Sequence, residues 1–309
     1  MRDDVQSHGY SLNSLYRAVG VSKQAVSQHN KRQAHRAMAT ECLRAEVDVI
    51  RVDHPGCGLA KMHGMIEPGW LGRDRFVSLF QRLGYGLNRV RNRARTTYSV
   101  KGLYYPNLTS GLKIRSPDRV WQTDITYYRL PGGYCYLTFI IDVYSRMIVG
   151  YAVSDRLRAE ANIKALKKAF RYRQGSSLDG LIHHSDKGSQ YIDKGYKGLL
   201  ASRGVAISMC DSPQENAYTE RLNGTIKNEY LAYRTINSLS SLKYHVDKAV
   251  KHYNTFRPHN SLPGRCSPVA FERYLEGCTA EQWPEMVIHD YARQGMEAPG
   301  NRCSFSPPS

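Results

Sequence analysis

The segment 134-YCYLTFIIDV-143 is apolar almost without interruption. A run of about ten such residues is too short to span a membrane and too continuous for a strand wetted on one face. It fits a central strand covered by helices on both sides, which commits the surrounding chain to a layered α/β domain. Its neighbours agree. In 119-RVWQTDITYYRL-130, Trp121, Thr123, Ile125 and Tyr127 alternate with Gln122, Asp124, Thr126 and Tyr128, and Pro131-Gly132-Gly133 supplies a turn. Ser145-Arg146 turns again into 147-MIVGYAVS-154, completing an antiparallel meander.

Helix and strand signals then alternate. A helix is expected at 159–173, a short strand at 180–184, a helix around 192–204, a strand at 205–210 and a helix over 212–233. This order, three strands followed by helix, strand, helix, strand and helix, is that of a ribonuclease-H-like domain, a mixed five-stranded sheet flanked by helices. In that topology the first strand is central and neighbours the one ending at His184.

Upstream the texture is helical. Leu12, Leu15, Val19, Val21 and Val26 bracket Gly20 as in a helix-turn-helix, with Ser22 as a cap and Lys23 and Gln24 facing outward. His54-Pro55-Gly56 breaks the chain. Leu59, Met62, Met65 and Ile66 then suggest one helix, and Phe76, Leu79, Phe80 and Leu83 another, ending at Gly84. The expected division is 1–45 helical, 46–95 a second helical module, 96–116 a basic linker, 117–275 the α/β core and 276–309 a loose tail.

Charge narrows the function. The net charge is +17 at pH 7, which points to a polyanionic partner. Between Arg82 and Arg119 there are nine Lys/Arg, among them Arg89, Arg91, Arg93 and Arg95, against one acid, Asp118. The run is either a solvated linker or an arm that tracks phosphates. Seven scattered cysteines with no CxxC pair argue against a disulfide framework or a zinc site and for reduced thiols in the cytoplasm. No stretch resembles a membrane span or a secretory signal.

Within that frame three acids stand out. Asp124 is mid-strand, where a carboxylate is costly unless something positive meets it. Asp186 in 181-LIHHSDKGSQY-191 follows a strand end, where α/β sheets bind ligands; a helix-capping role is the competing reading. Glu220 shares one face of its helix with Asn216, Asn223 and Lys227, all within about 60° of it, and Tyr218, Leu222, Ile226 and Tyr230 lie opposite. A plain solvated face is the alternative. Glu229 is a rival acid on the far side of that helix. Three oxygen donors suit two Mg²⁺ or Mn²⁺ ions, and such a pair serves phosphodiester chemistry. Lys227 is placed to hold a phosphate. His183 and His184 point to opposite faces and are read as packing residues, and Asp142 as a turn residue with Ser145 and Arg146.

With 61 and 33 residues between them, Asp124 in WQTDITY, Asp186 in HHSDKGSQY and Glu220 in ENAYTERLNGTIKNE resemble the DDE triad of insertion-sequence transposases of the OrfB type, related to retroviral integrases. The segment 252-HYNTFRPHNSLPGRCSPVAFE-272 resembles that family's closing signature, and 54-HPGCGLAKMHGMI-66 its N-terminal helical module. The resemblance implies metal-dependent cleavage of mobile-element ends and joining of their 3′-hydroxyls to target DNA, by a homo-oligomer on paired ends. It makes Asp124, Asp186 and Glu220 the catalytic residues and metal ligands, with Lys227, Asn223, Lys187, the four arginines 89–95, Lys23 and Gln24 against DNA. An upstream-frame DNA-binding protein is a candidate partner, and the nucleoid the expected location. The rival readings are a catalytically dead repressor or architectural protein, and a simple nuclease. Asn254, Arg257, Pro258 and His259 are expected to fix the C-terminal helix and loop to the core.

Overall fold

The computed structural model describes residues 11–87, 104–210 and 212–289. Arg89, Arg91, Arg93, Arg95 and the last twenty residues lie outside them. Helix α1 (Leu12–Ala18) is capped by the Ser11 hydroxyl, and Gly20 at φ +68° makes the turn into α2. Helix α2 (Lys23–Asp53), capped by Ser22, is 31 residues long and buries only Leu43 and Val47. The boundary expected at 45/46 therefore falls inside one continuous helix. Between Ser22 and Pro55 the sequence has neither Gly nor Pro, so nothing interrupts the backbone ladder. The C-terminal part of α2 packs on α3 (Leu59–Ile66) and α4 (Arg73–Arg82) around Leu43, Val47, Met62, Phe76 and Phe80.

Strand β1 (Lys113–Ile114) precedes the five strands of the core: β2 (Val120–Leu130), β3 (Gly133–Asp142), β4 (Ile148–Ser154), β5 (Ile182–Ser185) and β6 (Ala206–Met209). Their order is β4-β3-β2-β5-β6, with β2–β3 and β3–β4 antiparallel and β2–β5 and β5–β6 parallel. This is the expected mixed sheet, with β2 central. Helices α5 (Ala159–Tyr172) and α6 (Lys194–Ala201) cover one face, burying Trp121, Ile140, Leu166 and Leu200 together. Helix α7 (Ala217–Thr225), its extension 226–231 and α8 (Leu239–Thr255) cover the other, meeting Leu137, Phe139 and Ile141. Strand β3 thus sends Ile140 to one layer and its flanking residues to the other, which is why its sequence barely alternates.

Helix α9 (Pro268–Glu276) and strand β7 (Met286–Val287) close a third cluster with Val120, Tyr144 and Leu262. Strand β7 pairs antiparallel with β1. The expected linker and tail each contribute a strand, so residues 113–114 and 286–287 are ordered against one another instead of loose. No helix among the described residues is long and apolar enough to cross a membrane.

Candidate functional site

The parallel ladder between β2 and β5 ends at Gln122↔His184. Strand β2 continues for eight residues with no partner on that side, opening a cleft. Two positions past the last rung on each strand stand Asp124 and Asp186, so the fold sets these acids on neighbouring backbones. Asp186 caps no helix: Asp193 caps α6, accepting from Gly195 N and Tyr196 N. Instead Asp186 Oδ1 accepts from Gly188 N at 3.1 Å, closing the turn that follows the strand.

The third wall is α7. Asn223 Nδ2 donates to Asp124 Oδ2 (2.8 Å), and Lys227 Nζ donates to Thr126 Oγ1 (2.8 Å). Gln122 Nε2 donates to Glu215 O (3.0 Å), and Asn216 Nδ2 to Thr123 O (3.0 Å). The shared helix face of Asn216, Asn223 and Lys227 is real, and it lies along β2 with its polar groups spent on the strand. Glu220, on the same helix, is exposed. Leu222, Ile226 and Tyr230 fill the core on the other side. The helix expected over 212–233 is not uniform: 213–216 is a 3₁₀ turn and Ile226–Leu231 is π-helical.

Electrostatics mark Asp124. Burial pushes its pKa up to about 7, the negative charges of Asp186 and then Glu220 adding to the rise. Burial also raises Asp186 and lowers Lys227, the latter opposed by Asp124. Among the described residues no three His, Cys, Asp or Glu side chains converge to hold a metal ion, so the expected closed cage of Asp124, Asp186 and Glu220 is not formed. Repulsion among the carboxylates opposes convergence, and Asn223 and Gly188 take the aspartate oxygens. The donor chemistry still fits a hard divalent cation. All three groups are carboxylates, and one is held against its charged form by burial, with the charges of the other two adding to it.

The remaining expected residues separate cleanly. His183 Nε2 meets Tyr196 OH at 2.9 Å and His184 Nδ1 meets Ser208 Oγ at 2.8 Å, so both histidines are packing residues. Asp142 accepts from Ser145 N and Oγ and from Asp118 N, a turn residue as read. Asn254 brackets β4 through Ile148 N and O, both at 3.0 Å, which anchors α8 to the core. Lys187 Nζ lies 4.9 Å from the centre of the Tyr104 ring, and Lys23 and Gln24 are exposed in the first turn of α2.

Glu229 is where sequence reasoning falls short. It is an ion-pair hub: Lys61 Nζ (2.9 Å), Arg257 Nη2 (3.0 Å) and His54 Nε2 (2.7 Å) all reach its carboxylate. These partners, with hydrogen bonds from His54 and Arg257 leading, hold its pKa well below the usual carboxylate range despite burial. The one available signal is the cationic company kept by the HPG turn and the RPH segment.

Residues 115–214 match a family model described as integrase core domain, and residues 204–268 match a second model of the same description. The chain is 36% identical over 213 residues to an uncharacterised 31 kDa protein of insertion element IS600 from Shigella sonnei, covering 66% of this chain and 76% of that one. It is 34% identical to the transposase of IS904 from Lactococcus lactis, over 57% of this chain and 71% of the relative. For the transposase of IS629 from Shigella sonnei the identity is 30%, over 79% and 83%. The HTLV-2 integrase catalytic core, solved in complex with magnesium, overlays with a TM-score of 0.41 at 19% identity, covering 53% of this chain and 98% of that one.

Proposed function

The chain belongs to the insertion-sequence transposases that carry an integrase core domain, and on that premise we propose that it cuts the ends of its mobile element and joins their 3′-hydroxyls to target DNA, with Asp124, Asp186 and Glu220 as the catalytic carboxylates. The observation that carries this reading is the pairing of Asp124 and Asp186 just past the end of the β2–β5 ladder, with the Asp124 pKa pushed up to about 7. A carboxylate held in such company is poised to take up positive charge.

Asp124, Asp186 and Glu220 would hold two Mg²⁺ or Mn²⁺ ions. Bound there, the ions would lower the pKa of the attacking water or 3′-hydroxyl and stabilise the leaving oxygen. The chain's own groups do the rest. Asn223 orients the Asp124 carboxylate by donating to Oδ2. Lys227, on the same stripe, exchanges its bond to Thr126 for a backbone phosphate when DNA enters the cleft. Lys187 lies beside Asp186 in sequence and extends the positive rim. Lys23 and Gln24, together with the arginines at 89, 91, 93 and 95, add contacts to the terminal repeats.

The active form is a homo-oligomer on paired ends in the bacterial cytoplasm, acting on the nucleoid, and an upstream-frame DNA-binding protein is its candidate partner. A labelled duplex of the sequence flanking the gene, incubated with plasmid, Mg²⁺ and the full chain, tests the reading. Covalent plasmid adducts are expected from wild type and none from Asp186→Asn. Release of fragments without adducts would make the protein a nuclease. DNA binding with no covalent product would make it a repressor.

A further inference from the structure

Nine residues beyond Glu220 the N-terminal module closes on the same helix. Gly56 N donates to Glu229 O at 2.7 Å. A Cβ on Gly56 would lie 2.6 Å from Glu229 Cα, so only glycine allows this approach. The His54 ring stacks flat on Tyr230, centroids 4.4 Å apart, and Tyr230 OH meets His252 Nδ1 at 3.0 Å. Lys61 and Arg257 complete the shell around the Glu229 carboxylate.

All these contacts fall on the π-helical segment Ile226–Leu231. Its wide turn is closed by Ala232 N donating to Lys227 O at 2.8 Å. Lys227 therefore has two duties: its carbonyl closes the turn and its ammonium reaches Thr126 on β2. A π turn carries one residue more than an α turn and persists where its surroundings impose it. Relaxation to α-helix would rotate the residues on one side of the turn against those on the other by about 100°.

We propose that the His54–Gly56 turn and Glu229 form a positioning clamp, through which the N-terminal module holds the π register of the acidic helix and so sets Lys227 and Glu220 against Asp124. The clamp rests on the function proposed above. Glu229 touches no reacting atom. It acts through Lys227 and Glu220, and it makes the module a requirement of the chemistry as well as of DNA binding.

The test uses the full chain, the flanking duplex and plasmid, with Glu229→Gln and Gly56→Ala as probes. Glu285→Gln, at a surface pair with Lys113 and Arg115, is the control. Duplex affinity, single-turnover joining rate and hydrogen exchange of the Ala232 amide are read in each. Both probes are expected to bind the duplex within about twofold of wild type yet join at least ~10-fold more slowly, with Ala232 exchanging faster by a similar factor. The control leaves all three unchanged. Wild-type Ala232 protection in the probes, wild-type joining rates, or binding and joining lost in equal proportion would each overturn the clamp. Should Gly56→Ala fail to fold, Lys61→Met removes a single donor and is held to the same outcomes. Asp124→Asn runs alongside. If it joins as fast as wild type, the function reading has failed; if it is inactive while Glu229→Gln is normal, only the clamp has.

Discussion

Two acids, Asp124 on strand β2 and Glu229 on the π-helical extension of α7, meet opposite fates. Around Glu229 the protein supplies its own cations, and the carboxylate is held charged by Lys61, Arg257 and a histidine. Around Asp124 burial, and after it the further carboxylates, push the group toward its neutral form. An acid whose charge is balanced within the fold is doing structural service. A buried acid set among other acids is the one to test for a cation from outside. The contrast explains why Glu229, though the more heavily bonded of the two, is the poorer catalytic candidate.

The largest expected effect breaks the contrast at the acidic end. Asp124→Asn should lower the joining rate by roughly 10³-fold, the scale of a lost charge-stabilising group, read by single-turnover assay. Removing the hub should act on stability as well as on joining. Glu229→Ala leaves His54, Lys61 and Arg257 facing one another, and with partial exposure discounted the expected loss is about 2–3 kcal/mol in denaturant melts. A loss within ~0.5 kcal/mol would mean the hub is ornamental.

pH sharpens the comparison, because the groups differ in sign. Asp124 has a folded pKa of about 7 against an ordinary 3.8. Its contribution to stability is full below about 3.8 and is lost as pH rises toward about 7. Asp124→Asn should therefore gain stability over wild type between those values, by about 1–2 kcal/mol once screening is allowed for. His183 and His184, buried neutral with folded pKa values of about 3 and about 4, do the reverse. Their contribution is full above about 6.5 and falls away as pH drops toward about 3. Thermal melts from pH 4 to 8 on wild type, Asp124→Asn and His183→Gln would show opposite slopes. A common slope would contradict the assignment.

The smallest expected effect on joining is at Asn254. Replacement by alanine loses two bonds to Ile148, about 1 kcal/mol each, with joining per folded molecule unchanged.

What could be seen in the sequence follows the reach of each interaction. Asp124, Asp186 and the stripe of Asn216, Asn223 and Lys227 were legible because strand alternation and helical periodicity are local signals. The architecture was legible for the same reason: each strand announces itself, and β3's unbroken apolarity demands two covering layers. The continuous helix α2 was also there to be seen, in its lack of Gly and Pro. Other features leave no local mark. Lys61 and Glu229 are 168 residues apart, and His54 and Glu229 are 175 apart. A two-residue ladder such as β1–β7 is too short for any period to show. The π turn has no sequence period of its own to show. Nor does the helical wheel reveal that the stripe is pressed against β2, since amphipathicity tells which side is polar and not what the polar side meets.

Cation binding decides the central claim, because Glu220 stands exposed and unconverged with the two aspartates. Mn²⁺ titration of the full chain, followed by electron paramagnetic resonance of the free ion, measures it without DNA or turnover. The account predicts saturable binding in wild type that weakens at least ~10-fold in Glu220→Gln and in Asp186→Asn, while the surface control Glu285→Gln binds within about twofold of wild type. Equal Mn²⁺ affinity in wild type and Glu220→Gln would contradict it.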